Sequence, residues 1–74
     1  MKQLTKDQTK RLDELVVNIL HSSTVEQGFM YARILETDLK RFKEMKEPYN
    51  ISDKYNRAID AYYTINAEYL KINE

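Results

Sequence analysis

The chain has no cysteine, a single glycine, a single proline, one histidine and no excess of charge of either sign. Without cysteine there can be no disulfide and none of the common thiolate zinc sites. One histidine, His21, cannot make a His-rich metal site. Lysine plus arginine and aspartate plus glutamate number 12 each, so the formal net charge is zero, whereas a generic nucleic-acid binder carries a basic excess. No apolar run approaches the roughly 18 residues of a membrane span. The N-terminus lacks the apolar core of a secretory signal. A cytoplasmic protein is therefore expected, in which the Asn50-Ile51-Ser52 triplet has no meaning as a glycosylation acceptor. With 74 residues, one domain is expected, burying only about 60% of its unfolded surface. Domains this small lean on a disulfide, a metal or a partner chain. Only the partner chain is left, so self-association into a homo-oligomer is expected.

The balanced charge is unevenly spread. Residues 1–11 carry Lys2, Lys6, Lys10 and Arg11 against Asp7. Residues 12–38 carry only Arg33 against Asp13, Glu14, Glu26, Glu36 and Asp38. Residues 39–47 are basic again, with Lys40, Arg41, Lys43 and Lys46 against Glu44 and Glu47. Opposed patches of this kind suit self-assembly or capture of a small anion between chains, although most such residues in any protein are simply solvated helix faces.

The pattern of apolar residues is helical throughout, and an all-α three-helix bundle is expected: an antiparallel helical hairpin plus a third helix. Thr5-x-x-Gln8 is a capping-box start, and Leu12, Leu15, Val16, Ile19 and Leu20 follow at helical spacing, giving a helix over about 6–21. Ser22 and Ser23 break it, because their side chains bond local backbone and favour caps. Ser23-x-x-Glu26, or Thr24-x-x-Gln27 in the neighbouring register, opens a second helix over about 24–46. Its seam is Val25, Gly28, Ala32, Leu35, Leu39 and Phe42, in coiled-coil-like steps of three and four. Pro48 disfavours helical geometry in the residue before it and stops this helix. Asn50 or Ser52 caps a third helix over about 52–72, with the stripe Tyr55, Ala58, Ile59, Tyr62, Ile65, Tyr69 and Ile72. So short a first link makes the first two helices an antiparallel hairpin.

The second and third helices carry more apolar surface than one stripe each. Met30, Tyr31, Ile34 and Met45 lie off the second seam, and Tyr63 and Leu70 off the third. Ile34 and Tyr62 are read as finishing the core. The remainder exceeds what one small bundle can cover, and uncovered apolar patches mark interaction sites. Tyrosine, with a wet hydroxyl on a greasy ring, and methionine, which adapts its shape, suit such a surface. Gly28, Met30, Ala32, Tyr63 and Leu70 are accordingly the expected interface residues.

Gly28 in a helix interior costs about 1 kcal/mol relative to alanine. With Ala32 it makes a small-xxx-small step that lets something approach the backbone closely. Spacing favours a tight crossing by the first helix or by a symmetry mate over the floor of a flat ligand site. The stretch Thr24-Val25-Glu26-Gln27-Gly28-Phe29-Met30-Tyr31-Ala32-Arg33 resembles the second-helix motif of a phage-encoded family of helical-hairpin proteins that act as sponges for cyclic nucleotide signals, evading CBASS and Thoeris immunity. Tyr31 stands where that family usually has tryptophan. The resemblance implies a symmetric oligomer that binds a cyclic dinucleotide or related signal between chains. A base can stack on an aromatic ring, and phosphates are recognised best by arginine. Phe29 and Tyr31 for stacking, Arg33 for phosphate, and Lys6, Lys10 and Arg11 from a neighbouring chain are then the expected ligand-binding residues.

Catalysis is not expected. His21 stands without a Cys or Ser–Asp set and reads as a partner for the helix C-terminal dipole. Asp13 and Glu14, being adjacent, point in different directions on a helix, and no Gly-rich phosphate loop is present. No cofactor is expected. Two other readings stay open: a small helical inhibitor or regulator that docks its Tyr/Met face on a host protein, and a helix-turn-helix DNA reader. The latter is disfavoured because its recognition helix would open with Glu26, Gln27 and Gly28 instead of base-reading side chains. Richness in Lys, Asn, Ile and Tyr fits an AT-rich genome, such as that of a low-GC Gram-positive bacterium or its phage.

Overall fold

A computed structural model describes residues 2–67. The elements run β1 (Lys2–Gln3), α1 (Lys6–Leu20), α2 (Val25–Glu44), β2 (Tyr49–Asn50) and α3 (Asp53–Ile65). Each helix begins where a polar side chain can satisfy its unpaired amides. At α1 the capping box forms in full: the Gln8 amide donates to Thr5 Oγ1 at 3.1 Å, and the Thr5 amide donates to Gln8 Oε1 at 2.8 Å. At α2 the later of the two possible registers is the one used. The Gln27 amide donates to Thr24 Oγ1 at 3.1 Å, and Gln27 Oε1 accepts from the Ser23 amide at 3.1 Å. Ser52 caps α3.

Helix ends differ from the sequence reading by small steps with clear causes. His21 sits one residue beyond α1 as its cap, its amide donating to the Val17 carbonyl at 2.9 Å. Met45 is already extended, with φ −64° and ψ 153°, so α2 ends before Pro48 can act on it. α3 closes at Ile65, where Asn66 directs both its amide and its side-chain nitrogen to the Tyr62 carbonyl. The expected continuation to about residue 72, with Tyr69, Leu70 and Ile72, lies outside the described residues.

Nine residues make the central core: Leu12, Leu15 and Ile19 from α1, Ala32, Leu35, Leu39 and Phe42 from α2, and Tyr55 and Ile59 from α3. These come from the three expected stripes. The edges of those stripes fare differently: Val25 and Ala58 are half-buried, while Leu20 and Ile65 are 75% and 80% exposed. Ile34, read as part of the core, stays on the surface at 36% exposure. It lies on the side of α2 opposite Phe29 and Glu36, which face α3, and nothing in a three-helix bundle reaches it.

The two-residue strands were not foreseen. β1 and β2 pair in parallel, Lys2 opposite Tyr49 and Gln3 opposite Asn50. The Lys2 amide also donates to the Pro48 carbonyl at 3.2 Å, and the Lys2 ammonium meets Glu47 at 2.9 Å. The antiparallel hairpin brings the residues before α1 alongside those after α2, and Pro48 keeps that segment extended. Phe42 meets Tyr49 edge-to-face at 5.4 Å between ring centroids and so seats β2 on the core.

Candidate functional site

The motif stretch 24–33 forms the first two turns of α2, and α3 packs on it. Tyr62 lies over Gly28 so closely that a Cβ at position 28 would meet its hydroxyl and Cζ, and Ser22 Oγ at 2.9 Å. From that seat the Tyr62 hydroxyl donates to the Val25 carbonyl at 3.1 Å. The close approach allowed by Gly28 is thus taken by a tyrosine of α3, neither by α1 nor by a flat ligand. Ala32, fully buried, extends the same small-residue floor.

Phe29 is a core residue in the single chain, 7% exposed. Its ring meets Tyr62 edge-to-face at 5.2 Å and stacks on Tyr63 at 5.7 Å. The ring expected to stack on a base thus packs within the chain against two tyrosines of α3. Tyr63, expected at an interface, is half-buried against the core, with its hydroxyl donating to Glu36 Oε2 at 3.2 Å. Burial pushes the Tyr63 phenol above its usual 10.0, and Glu36 adds to this; the charge of nearby Arg33 pulls weakly the other way.

Met30, Tyr31 and Arg33 point in divergent directions. Met30 is 52% exposed and Arg33 is exposed, while Tyr31 is half-buried against the core. Two residues apart on a helix are about 160° apart around its axis, so Tyr31 and Arg33 cannot close on one ligand within a chain.

The N-terminal cations split. Arg11 Nε donates to Asp38 Oδ2 at 2.7 Å, tying α1 to α2, and Arg41 supports the same carboxylate at 3.7 Å. Asp38 is 5% exposed, so Arg11, expected as a phosphate ligand, serves within the chain as the counter-charge of a buried carboxylate, with its side chain still 59% exposed. Lys6 and Lys10 are exposed and enter no ion pair among the described residues; they border a shallow open groove of about 610 Å³ along α1 floored by Leu4 and Val17. The Arg11–Asp38 contact sets the register of the hairpin. It puts Lys6 and Arg33 about 15 Å apart along the bundle axis within one chain. Leu70 lies outside the described residues.

One further polar cluster was missed. Tyr55, 2% exposed, donates its hydroxyl to Asp13 Oδ1 at 2.7 Å, and Lys54 meets the same oxygen at 2.9 Å while lying 4.9 Å over the Tyr55 ring. The Lys54 and Tyr55 hydrogen bonds hold the Asp13 carboxyl below its ordinary 3.8. Burial, with Asp13 adding, pushes the Tyr55 phenol up. The cluster pins α3 to α1. Asp38 and Asp13 each sit beside a seam residue, at Leu39 and Leu12. A carboxylate flanking an apolar stripe was the available signal, but it does not say which partner answers it.

No protein-family model, curated protein or solved structure matches this chain. Among the described residues no group of His, Cys, Asp or Glu could hold a metal ion, and no helix is long and apolar enough to cross a membrane.

Proposed function

We propose that the protein is a non-catalytic binding module that sequesters a nucleotide second messenger between copies of itself, in the manner of an anti-defence sponge. The observation that carries this reading is the placement of three of the exposed cations. Arg33, Lys6 and Lys10 are exposed and unpaired among the described residues; Lys6 and Lys10 border one groove, whereas one chain holds Arg33 about 15 Å from Lys6 along the bundle axis. A phosphate ligand that uses them needs more than one chain, as the motif resemblance also implies. Tyr31, half-buried beside exposed Met30, is the ring left to stack on a base.

Isothermal calorimetry with a panel of cyclic di- and trinucleotides tests the reading. Binding by the native chain, lost in an Arg33→Ala variant whose circular dichroism is unchanged, supports it. Full binding by that variant removes Arg33 from the site, and absence of binding across the panel removes the function.

A second reading, a helical inhibitor of a host protein, draws on α1. Val17 and Leu20, one turn apart, are 51% and 75% exposed, which is the anchor spacing of a helix that docks in a groove. A pull-down from host lysate, with Leu20→Glu as the non-binding control, separates it from the first.

A further inference from the structure

The exposed side of α2 carries a second seam. Gln27, Met30, Ile34, Thr37 and Arg41 are all exposed and follow one another in alternating steps of three and four, the spacing of a helix that packs along another. Thr37 already donates its hydroxyl to the Arg33 carbonyl at 2.8 Å, so it offers a methyl group without an unmet polar group. Charge along this face is polar end to end. The N-terminal end carries Glu26; the C-terminal part carries Lys40, Arg41 and Lys43 against Glu44, which leaves it net basic; Arg33 lies beside the centre, and the acidic Asp38 is already buried against Arg11. A second copy of α2 laid alongside in the same direction sets like charge against like. Laid in the opposite direction, it sets Glu26 against Lys40 and Arg41 at both ends. The apolar residues sit between those ends, as a self-complementary patch requires.

We propose that two copies of this chain pair through α2, antiparallel, about a two-fold axis at Ile34. Ile34 then meets Ile34 of the second copy, Met30 covers Thr37 of the second copy, and Glu26 pairs with Lys40 and Arg41 of the second copy, each contact occurring twice. The pairing also brings the two Arg33 side chains together on one edge of the seam, next to the axis. Under the sponge reading, on which this last consequence alone rests, that edge is where a dianionic ligand is received; the pairing itself forms without ligand.

The chain's lack of cysteine makes the register directly testable. A disulfide needs Cβ atoms about 3.8 Å apart, and a two-fold axis through residue 34 supplies that for the single variant Ile34→Cys. Under mild oxidation without ligand, Ile34→Cys is expected to cross-link into a covalent dimer. Val17→Cys, at an exposed apolar site on α1, is the control and is expected to cross-link at least about tenfold more slowly. Equal rates overturn the proposal.

Sedimentation equilibrium supplies a second, independent readout. Ile34→Glu, at a surface position the fold does not use, is expected to weaken dimerisation about 100-fold, since it sets two carboxylates face to face. Glu26→Lys and Lys40→Glu alone each weaken it, and the two together in one chain restore it. Arg33→Gln strengthens it, because two like charges beside the axis are removed. An unchanged dimer in Ile34→Glu, or no restoration in the double reversal, overturns the pairing. Calorimetry on the native chain judges the ligand separately, so the two ideas can fail independently.

Discussion

Replacing Gly28 by alanine tests the packing of α3 on the motif. In an open helix this change is stabilising by about 1 kcal/mol, because glycine loses more backbone entropy on folding and packs no side chain. Here the new methyl meets the Tyr62 hydroxyl and ring, with Ser22 Oγ 2.9 Å away on the other side. The ring cannot swing aside without loss: it is held by the bond to the Val25 carbonyl and by the edge-to-face contact with Phe29. Giving up the first costs about 0.5–1.5 kcal/mol and the second a similar amount, about 0.5–1.5 kcal/mol. Against the helix gain the net is a destabilisation of about 1 kcal/mol, within a range of about 0–2. For a domain of this size that lowers Tm by about 4–8 °C. The double-mutant cycle sharpens the test. In a Tyr62→Ala background only Ser22 Oγ remains near the new methyl, and a serine side chain can turn aside, so Gly28→Ala should then raise Tm by about 4–8 °C, giving a coupling of about 2 kcal/mol between the two positions. Thermal unfolding followed by circular dichroism measures all four proteins. A rise in Tm for Gly28→Ala in the native background would refute the seat of Tyr62 on Gly28.

The remaining tests address the other ties between helices. Arg11→Ala leaves Asp38 as a buried carboxylate with only the more distant Arg41, and should cost about 1.5–3 kcal/mol in urea unfolding, well above the 0.5 kcal/mol or so typical of an exposed side chain; a loss below 0.5 kcal/mol would show the tie to be idle. The Asp13 carboxyl is held below 3.8 in the folded chain, so its contribution is present above that pH and drains away as pH falls through the lower folded value; Asp13→Asn should flatten that acid limb of the Tm–pH curve. The Tyr55 and Tyr63 phenols are raised above 10.0, so their contribution is present below pH 10.0 and is lost as pH rises through the folded values. The double variant Tyr55→Phe, Tyr63→Phe should unfold with less dependence on pH above 10. Leu35→Ala, in the centre of the core, should cost about 2–5 kcal/mol, whereas Leu20→Lys, almost fully exposed, should stay within about 0.5 kcal/mol; near-equal effects would misplace the core.

The core was legible because it depends on period alone. Leu12, Leu15 and Ile19, then Ala32, Leu35, Leu39 and Phe42, then Tyr55 and Ile59 repeat at helical spacing, and burial follows spacing. The caps were legible for a similar reason: Thr5–Gln8 and Thr24–Gln27 are local, three residues apart. What stayed hidden is non-local. Nothing near Gly28 announces that the ring 34 positions later will occupy the space it leaves, and nothing near Asp38 announces Arg11. Phe29 reads as an outward aromatic when α2 is considered alone, because it lies off the seam; the approach of α3 buries it. Ile34 is the opposite case, counted as core because it is apolar and left outside because neither neighbouring helix reaches its side of α2. The β1–β2 pair spans two residues on each side, too few for any period to register.

That small parallel pair has a consequence for how the chain opens and closes. It joins Lys2 to Tyr49 and Gln3 to Asn50, positions 47 apart, so its amides can be protected from solvent only once the whole hairpin between them has formed. The segment from Pro48 to Ser52 is in turn the link that leads from this pair into α3. Trimming the first three residues should therefore speed hydrogen exchange in α3, far along the sequence from the cut, before it touches the centre of α1 or α2. The leading residues act as a latch on the last helix.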